Sequence, residues 1–462
     1  MKKFDWISFA IVISLIIIGL MMIYAAGYQP EAEIPFFQTQ AGRQSIFIVA
    51  ALVILTGAHL IDWKFWSGFA YPFYAITILL LGMVLIFGST INGSKSWFQL
   101  GGFSFQPAEL AKVGTIMALA SFLSHHRTRV QDTRDLMVAA GIILLPTLLV
   151  LLQGDAGSAL VFLSIFLILF REGLAMWIPV LLLILGLLFV LALKFDVFVV
   201  LPLLLFAGGL FLLTSLKRKQ AYLLVSASVF VAALGFAVLD FWELVIAVSV
   251  FYMLYAAVES FLSKQIRQVI LLSIGVSILF GFAYTSSYLF TNVLEKHQQD
   301  RINVWLKPED CDPRGSLYNI LQSKIAIGSG GFTGKGYLQG TMTKLNYVPE
   351  QSTDFIYSII GEEHGFIGSI AVIVLFLILM LRVIDIGERA RIPFIRHYAY
   401  GVVGVMFIHV FVNIGMTMGI MPVIGIPLPF ISSGGSSLLG FSMLVGILLS
   451  MDSSWVRSRR VM

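Results

Sequence analysis

Charge is scarce in this sequence: of 462 residues only 12% are Asp, Glu, Lys or Arg, against roughly 25% in a soluble globular domain. Cysteine is scarcer still. The single Cys311 excludes an internal disulfide, so cysteine usage says nothing of the redox compartment. Histidine does not gather either. None of the 7 histidines pairs at helical ligand spacing with a nearby Glu or Cys, and His125-His126 is a dipeptide among arginines, which argues against a structural zinc site. No Ser-His-Asp arrangement can be assembled from the glycine- and serine-rich stretches. What the chain has instead is apolar residues, 58% of the total, with a mean hydropathy of +0.93. The net charge of +5 resides in short basic clusters between apolar runs, a pattern of membrane orientation and not of nucleic-acid binding.

The apolar runs are each long enough to cross a bilayer as a helix. They lie near 6–24, 45–61, 70–88, 107–123, 136–152, 156–170, 174–192, 197–214, 221–239, 242–260, 268–290, 355–381, 397–418 and 437–451, about fourteen in all, which predicts an all-α polytopic membrane protein. Lys2 and Lys3 could open a signal peptide, but no small-residue cleavage site clearly ends the run from Trp6 to Tyr24, and its length suits a retained helix. An even count puts both termini on one side. The loops on that side hold Lys64, Arg127, Arg129, Arg134, Arg171, Lys217, Arg218, Lys219, Lys264, Arg267, Arg382, Arg389, Arg391 and Arg396, while the other side holds little beyond Arg43, Lys95 and Lys194. The termini are therefore expected in the cytoplasm. The polar, glycine-rich segment from about 291 to 354 is the largest expected outer loop, with a short helix over Leu317 to Ile327 lying at the interface.

Ionisable residues at membrane depth are costly, which makes them candidates for function. In Ser104-Phe105-Gln106-Pro107-Ala108-Glu109-Leu110-Ala111-Lys112, proline takes the first helical position, and Glu109 and Lys112 share a face. They read either as substrate contacts or as a charge pair that fixes packing. Asp155, in Gly154-Asp155-Ala156-Gly157, reads as a functional carboxylate or as a helix cap. In Pro349 to Ser358, Thr353 is the expected N-cap and Asp354 the expected first-turn carboxylate, again with a capping role as the alternative. The stretch Gly328 to Gly336 fails as a Walker motif, because Ser329 replaces the first glycine and Gly336 the Ser or Thr after Lys335. Its amides beside Lys324 and Lys335 could still cradle a pyrophosphate. The segment Gly425 to Gly435 is too broken for a span and is expected to line a cavity.

Together with Gly93-Ser94-Lys95-Ser96-Trp97, Gln322 to Gly331 and Glu362-Glu363, these stretches resemble the SEDS family of bacterial cell-wall proteins, the RodA/FtsW/SpoVE group, in family order along nearly the whole chain. The surroundings of Lys335-Gly336 and Pro349-Glu350 look more like the RodA branch. The resemblance implies a peptidoglycan glycosyltransferase that polymerises lipid II on the outer face of the cytoplasmic membrane for elongation and shape, alongside a class B penicillin-binding transpeptidase. It places the catalytic carboxylate at Asp354. It also implies substrate contacts at Trp97, Glu109, Lys112, Asp155, Gln322, Ser323, Lys324, Lys335, Thr353, Ser432, Ser433 and Gly434, with Mg²⁺ or Mn²⁺ as the candidate cation and no organic cofactor. The family core has about ten spans, which leaves about four extra helices. The expected organisation is thus a core over 1–193, an inserted block over 194–264 and a second core segment over 265–462.

A flippase for a lipid-linked wall precursor is the competing reading, and it predicts ionisable groups in both leaflets. Trp97, Glu109, Lys112, Asp155 and Asp354 are all expected on the outer side, which favours an enzyme. A non-enzymatic scaffold leaves those carboxylates unexplained.

Overall fold

The computed structural model describes residues 5–28, 35–91, 93–100, 103–125, 128–195, 266–294, 296–312 and 317–458, with scattered positions between 200 and 261. The chain divides into two compact units, one formed by Met1–Ala175 with Asp312–Met462 and the other by Met176–Cys311. The boundaries expected at 193 and 264 both fall inside the second unit.

The first unit opens with α1 (Trp6–Ala26), α2 (Gln40–Gly57) and α3 (Trp63–Phe87). Local chemistry sets where these helices begin. Asp5 caps α1 by accepting the Ser8 amide at 3.4 Å and its hydroxyl at 2.7 Å, and Asp62 caps α3 through the Lys64 amide at 3.1 Å. A small antiparallel sheet follows, with β1 (Ser89–Ile91), β2 (Ser94–Leu100) and β3 (Phe103–Phe105) in that order. Ser89 stands opposite Trp97, and Phe98 opposite Phe105. This small sheet was not expected from the sequence, whose apolar periodicity marks only the spans.

Next come α4 (Pro107–Leu123), α5 (Thr133–Leu152), α6 (Ala156–Ser164) and α7 (Leu167–Arg171). The run expected as one helix over 156–170 is broken between α6 and α7, where Ile165, Phe166 and Ile168 donate to carbonyls three residues back. After the second unit, the chain forms α11 (Tyr318–Ser329), α12 (Thr341–Lys344), α13 (Ile356–Arg389), α14 (Pro393–Thr417) and α15 (Gly435–Ser458). The short helix expected over Leu317 to Ile327 is α11.

Burial shows which helices are central. All of α4 is buried except Leu110 and Phe122. The apolar windows of α15 and α14 are 83% and 67% buried, against 28%, 22% and 28% for α2, α3 and α5. The outer helices turn Leu79, Ile86 and Leu148 outward, as lipid-facing helices do.

The second unit contains α8 (Trp177–Lys194), α9 (Ile266–Asn292) and the polar α10 (Lys296–Leu306). Leu188 and Ala192 of α8 pack with Val276 and Ala283 of α9. The helices expected near 197–214, 221–239 and 242–260 lie outside the described residues apart from scattered positions. Among the described residues, nine helices are long and apolar enough to cross a membrane. The fold is therefore all-α and polytopic at the level of its spans.

Candidate active site

The glycine-rich loop is built to dock on a broken helix. At Gly365 the backbone of α13 leaves helical geometry (φ 61°, ψ −156°). Residues 330–336 fill the break: the amides of Lys335 and Gly336 donate to the carbonyls of Glu362 and Glu363, both at 3.0 Å, and the Phe366 amide donates to Gly331 O at 3.0 Å. A Cβ on Gly330 would stand 1.9 Å from Gly361 O, and one on Gly334 would stand 2.1 Å from Glu363 O. Close backbone approach accounts for these glycines. The amides of Lys335 and Gly336 are thus already spent, which corrects their expected availability for a pyrophosphate cradle. Lys335 itself reaches Glu362 at 2.7 Å and Thr341 at 2.9 Å. The buried Glu362 carboxylate also accepts the Met342 and Thr343 amides, at 2.9 and 3.0 Å, and so caps α12.

Asp354 sits in a turn just before α13. The helix begins at Ile356 with Phe355 as its cap, so Thr353 is not the N-cap and Asp354 is not in the first turn. The reason is local: Glu350 adopts φ 53°, and its carbonyl takes the amides of Thr353 and Phe355, both at 3.2 Å. Thr353 instead turns its hydroxyl to the Glu350 carboxylate at 3.0 Å.

An irregular strap, residues 418–434, holds this turn in place. Ser432 donates to Thr353 O at 2.5 Å while accepting the Leu428 amide at 2.8 Å. The Ser433 amide donates to Ser352 O at 2.8 Å, and the Gly434 amide to Gln44 at 3.2 Å. Gly425 (φ 75°) brings bare backbone beside the carboxylate, since a Cβ there would lie 3.2 Å from Asp354 Oδ2. From below, Asn413 of α14 donates to Asp354 O at 2.9 Å and to Ile426 O at 2.7 Å. Asp354 is half-buried.

The other expected residues fall into two groups. In α11, Ser323 is buried and donates to Thr417 O at 2.9 Å, while Gln322 is half-buried. Lys324 is exposed and runs past Gly419 of the strap. Ala326 of the same helix packs with Phe355 and Val423, which brings α11 to the Asp354 turn. The second group lies across the strap. Asp155 caps α6 through Ser158 at 2.9 and 2.8 Å and accepts Gln106 Nε2 at 2.9 Å. Trp97, half-buried on β2, neighbours this turn through the Lys95 amide on Gln153 O at 2.9 Å. Ser436, at the start of α15, accepts the Gln106 amide and donates to Ser104 O, both at 3.2 Å.

Glu109 and Lys112 lie behind the strap, 3% and 1% exposed. Their ion pair is 2.8 Å long, but Glu109 Oε2 is out of line for a hydrogen bond. The aligned contact of Lys112 is with His409 Nε2 at 3.1 Å, and His409 Nδ1 meets Pro427 O at 2.9 Å. Since a carbonyl only accepts, Nδ1 carries the proton and Nε2 accepts a hydrogen bond from the Lys112 ammonium. Asn413 and His409 were missed from sequence. Two polar residues four apart in the apolar run of α14 were the available signal.

The model of the FtsW/RodA/SpoVE cell cycle proteins matches residues 5–206 and 205–455 of this chain. The chain belongs to that family. Among its relatives are the peptidoglycan glycosyltransferase RodA of Treponema pallidum, 33% identical over 458 residues and 98% of each chain, and the peptidoglycan glycosyltransferase MrdB of Escherichia coli K12, 30% identical over 96% of this chain and 92% of that one. The fold is similar to a chain of a peptidoglycan synthase complex that coordinates polymerization and crosslinking (TM-score 0.63, 23% identity, 99% of each chain). It also resembles RodA of Thermus thermophilus (TM-score 0.56, 22% identity, 98% and 97%). The break in the family match falls at 205–206, within the expected insert.

Proposed function

We propose that this chain is a peptidoglycan glycosyltransferase that polymerises lipid II into glycan strands for wall elongation, with Asp354 as the base. The observation that carries the catalytic assignment is the setting of Asp354, a half-buried carboxylate at bare Gly425 backbone whose turn is pinned by Asn413, Ser432 and Ser433. Joining an α-linked pyrophosphoryl sugar to a hydroxyl with a β-linked product inverts the anomeric carbon. One base then suffices, and no protein nucleophile is needed. Asp354 takes the proton of the attacking hydroxyl as the oxygen bonds to the anomeric carbon, and the pyrophosphate leaves with the electron pair of the broken bond.

The leaving group calls for cations. Lys112 and Lys335 are engaged with protein carboxylates, which favours the exposed Lys324 as the lysine that meets it. Trp97 and Asp155, across the strap, belong to the side that receives the sugars. Among the described residues no three His, Cys, Asp or Glu converge on a common point. In the alternative to the base role, Asp354 would organise Mg²⁺ or Mn²⁺, which is commonly held by one or two carboxylates with substrate phosphates and whose charge would offset that of the pyrophosphate. The basic-loop count supports an outward-facing site with both termini in the cytoplasm of a bacterial inner membrane. A class B penicillin-binding transpeptidase is the proposed partner, a reading supported by the likeness to a chain of a synthase complex.

Purified protein, with and without the transpeptidase, should convert lipid II into glycan chains resolved on a gel. Movement of lipid II across vesicles without any polymer would favour the flippase instead.

A further inference from the structure

His409 and Asn413 are four residues apart on α14, share a face, and are buried (2% and 0% exposed). An amide nitrogen carries two hydrogens, and Asn413 gives one to each of two segments far apart in sequence, at Asp354 O and Ile426 O. Its Oδ1 has no hydrogen-bond partner. The two carbonyls therefore fix the amide's orientation, because the reversed amide would set an oxygen against both. One turn deeper, His409 supports the same strap at Pro427, backed by Lys112.

We propose that Asn413 is a positioning residue for glycosyl transfer: its single amide clamps the Asp354 peptide to the strap at Ile426 and so fixes where the carboxylate stands at Gly425. The inference rests on Asp354 being the base. Few side chains of this size can replace the clamp. Ser supplies one hydrogen, Asp supplies none when ionised, and Ala leaves two buried carbonyls without a donor.

The test compares Asn413→Ala, Asn413→Ser, Asp354→Asn and the Asn413→Ala/Asp354→Asn double variant, all as full-length purified protein polymerising lipid II. Displacing a reacting group by about 1 Å costs about a hundredfold, so kcat should fall about a hundredfold in Asn413→Ala and about tenfold in Asn413→Ser, with KM within about threefold. The double variant should be no slower than Asp354→Asn alone. Should Asn413→Ala fail to fold, the milder Ser variant decides by its kcat at unchanged KM. A parental kcat in the Asn413 variants beside an inactive Asp354→Asn overturns the clamp and leaves the base assignment standing. Losses that multiply in the double variant also overturn it. A parental rate in Asp354→Asn removes the base assignment and the inference with it.

Discussion

Where α13 ends and α14 begins, the chain is tied by charge, whereas the turn that carries Asp354, just before α13, is held by hydrogen bonds to its backbone carbonyls. At the first, Arg382 pairs with Asp5 and Arg389 with Asp452, both at 2.7 Å, Arg171 meets Glu388 at 3.0 Å, and His397 meets Glu172 at 3.1 Å. Burial alone would raise the Asp5 carboxyl, but the hydrogen bonds from Arg382 and Ser8 outweigh it and hold Asp5 below its ordinary range. At the second, the Asp354 turn is fixed by Asn413, Ser432 and the Ser433 amide, all acting on backbone carbonyls. The difference separates holding from reacting. A carboxylate locked in an ion pair loses basicity, whereas donors aimed at the backbone carbonyls of a turn fix its position without binding a carboxylate. The buried Glu109–Lys112 pair stands between these cases, charged yet placed to support the strap through His409.

The comparison can be broken most severely at Lys112. Lys112→Ala leaves Glu109 buried without its cation, and the loss should be about 3–5 kcal/mol of stability, read as a lower thermal midpoint in detergent and poor expression. A parental midpoint would show that the pair contributes little to holding the strap. Next is the docked loop. Gly334→Ala must fit a Cβ 2.1 Å from Glu363 O at a φ of 83°, and such overpacking should cost about 1–3 kcal/mol, with new protease cleavage between residues 330 and 340. Unchanged cleavage would mean that the loop tolerates displacement.

The smallest effect belongs to the charged end. The hydrogen bond from His397 holds the Glu172 carboxyl below its ordinary value of 4.5. A lowered folded-state value contributes stability above the unfolded value and loses it as pH falls through the folded one. The wild-type midpoint should therefore drop below about pH 4.5 more steeply than that of Glu172→Gln. Parallel curves would remove this contribution.

Nine of the expected spans were legible because hydrophobic runs of bilayer length leave few alternatives, while the run over 107–123 forms the shorter α4, that over 156–170 is broken, and three runs lie outside the described residues. Pro107 marked the start of α4, and Leu317 to Ile327 marked α11. The hairpin Ser89–Phe105 was not legible, since three short strands outside the apolar runs leave no periodicity to read. Asp354 stood out as a carboxylate at a loop-to-helix junction. Its true relation to α13 depended on the φ of Glu350, which no spacing rule reports. The glycines of 330–336 suggested ligand contact because close backbone approach is needed in both cases, and only the Gly365 break shows that the approach is to the chain itself. Asn413 went unnoticed because its two acceptors, at 354 and 426, are joined only by tertiary structure.

The account's central claim is tested most directly by the rate at which Asp354→Asn polymerises lipid II. Because α13 begins at Ile356 and is capped at Phe355, the substitution removes charge and basicity without unseating the helix. Expression, thermal midpoint and association with the proposed transpeptidase partner should persist. The rate of glycan synthesis should fall about a hundredfold or more. A folded Asp354→Asn protein that polymerises lipid II at close to the parental rate would contradict the account.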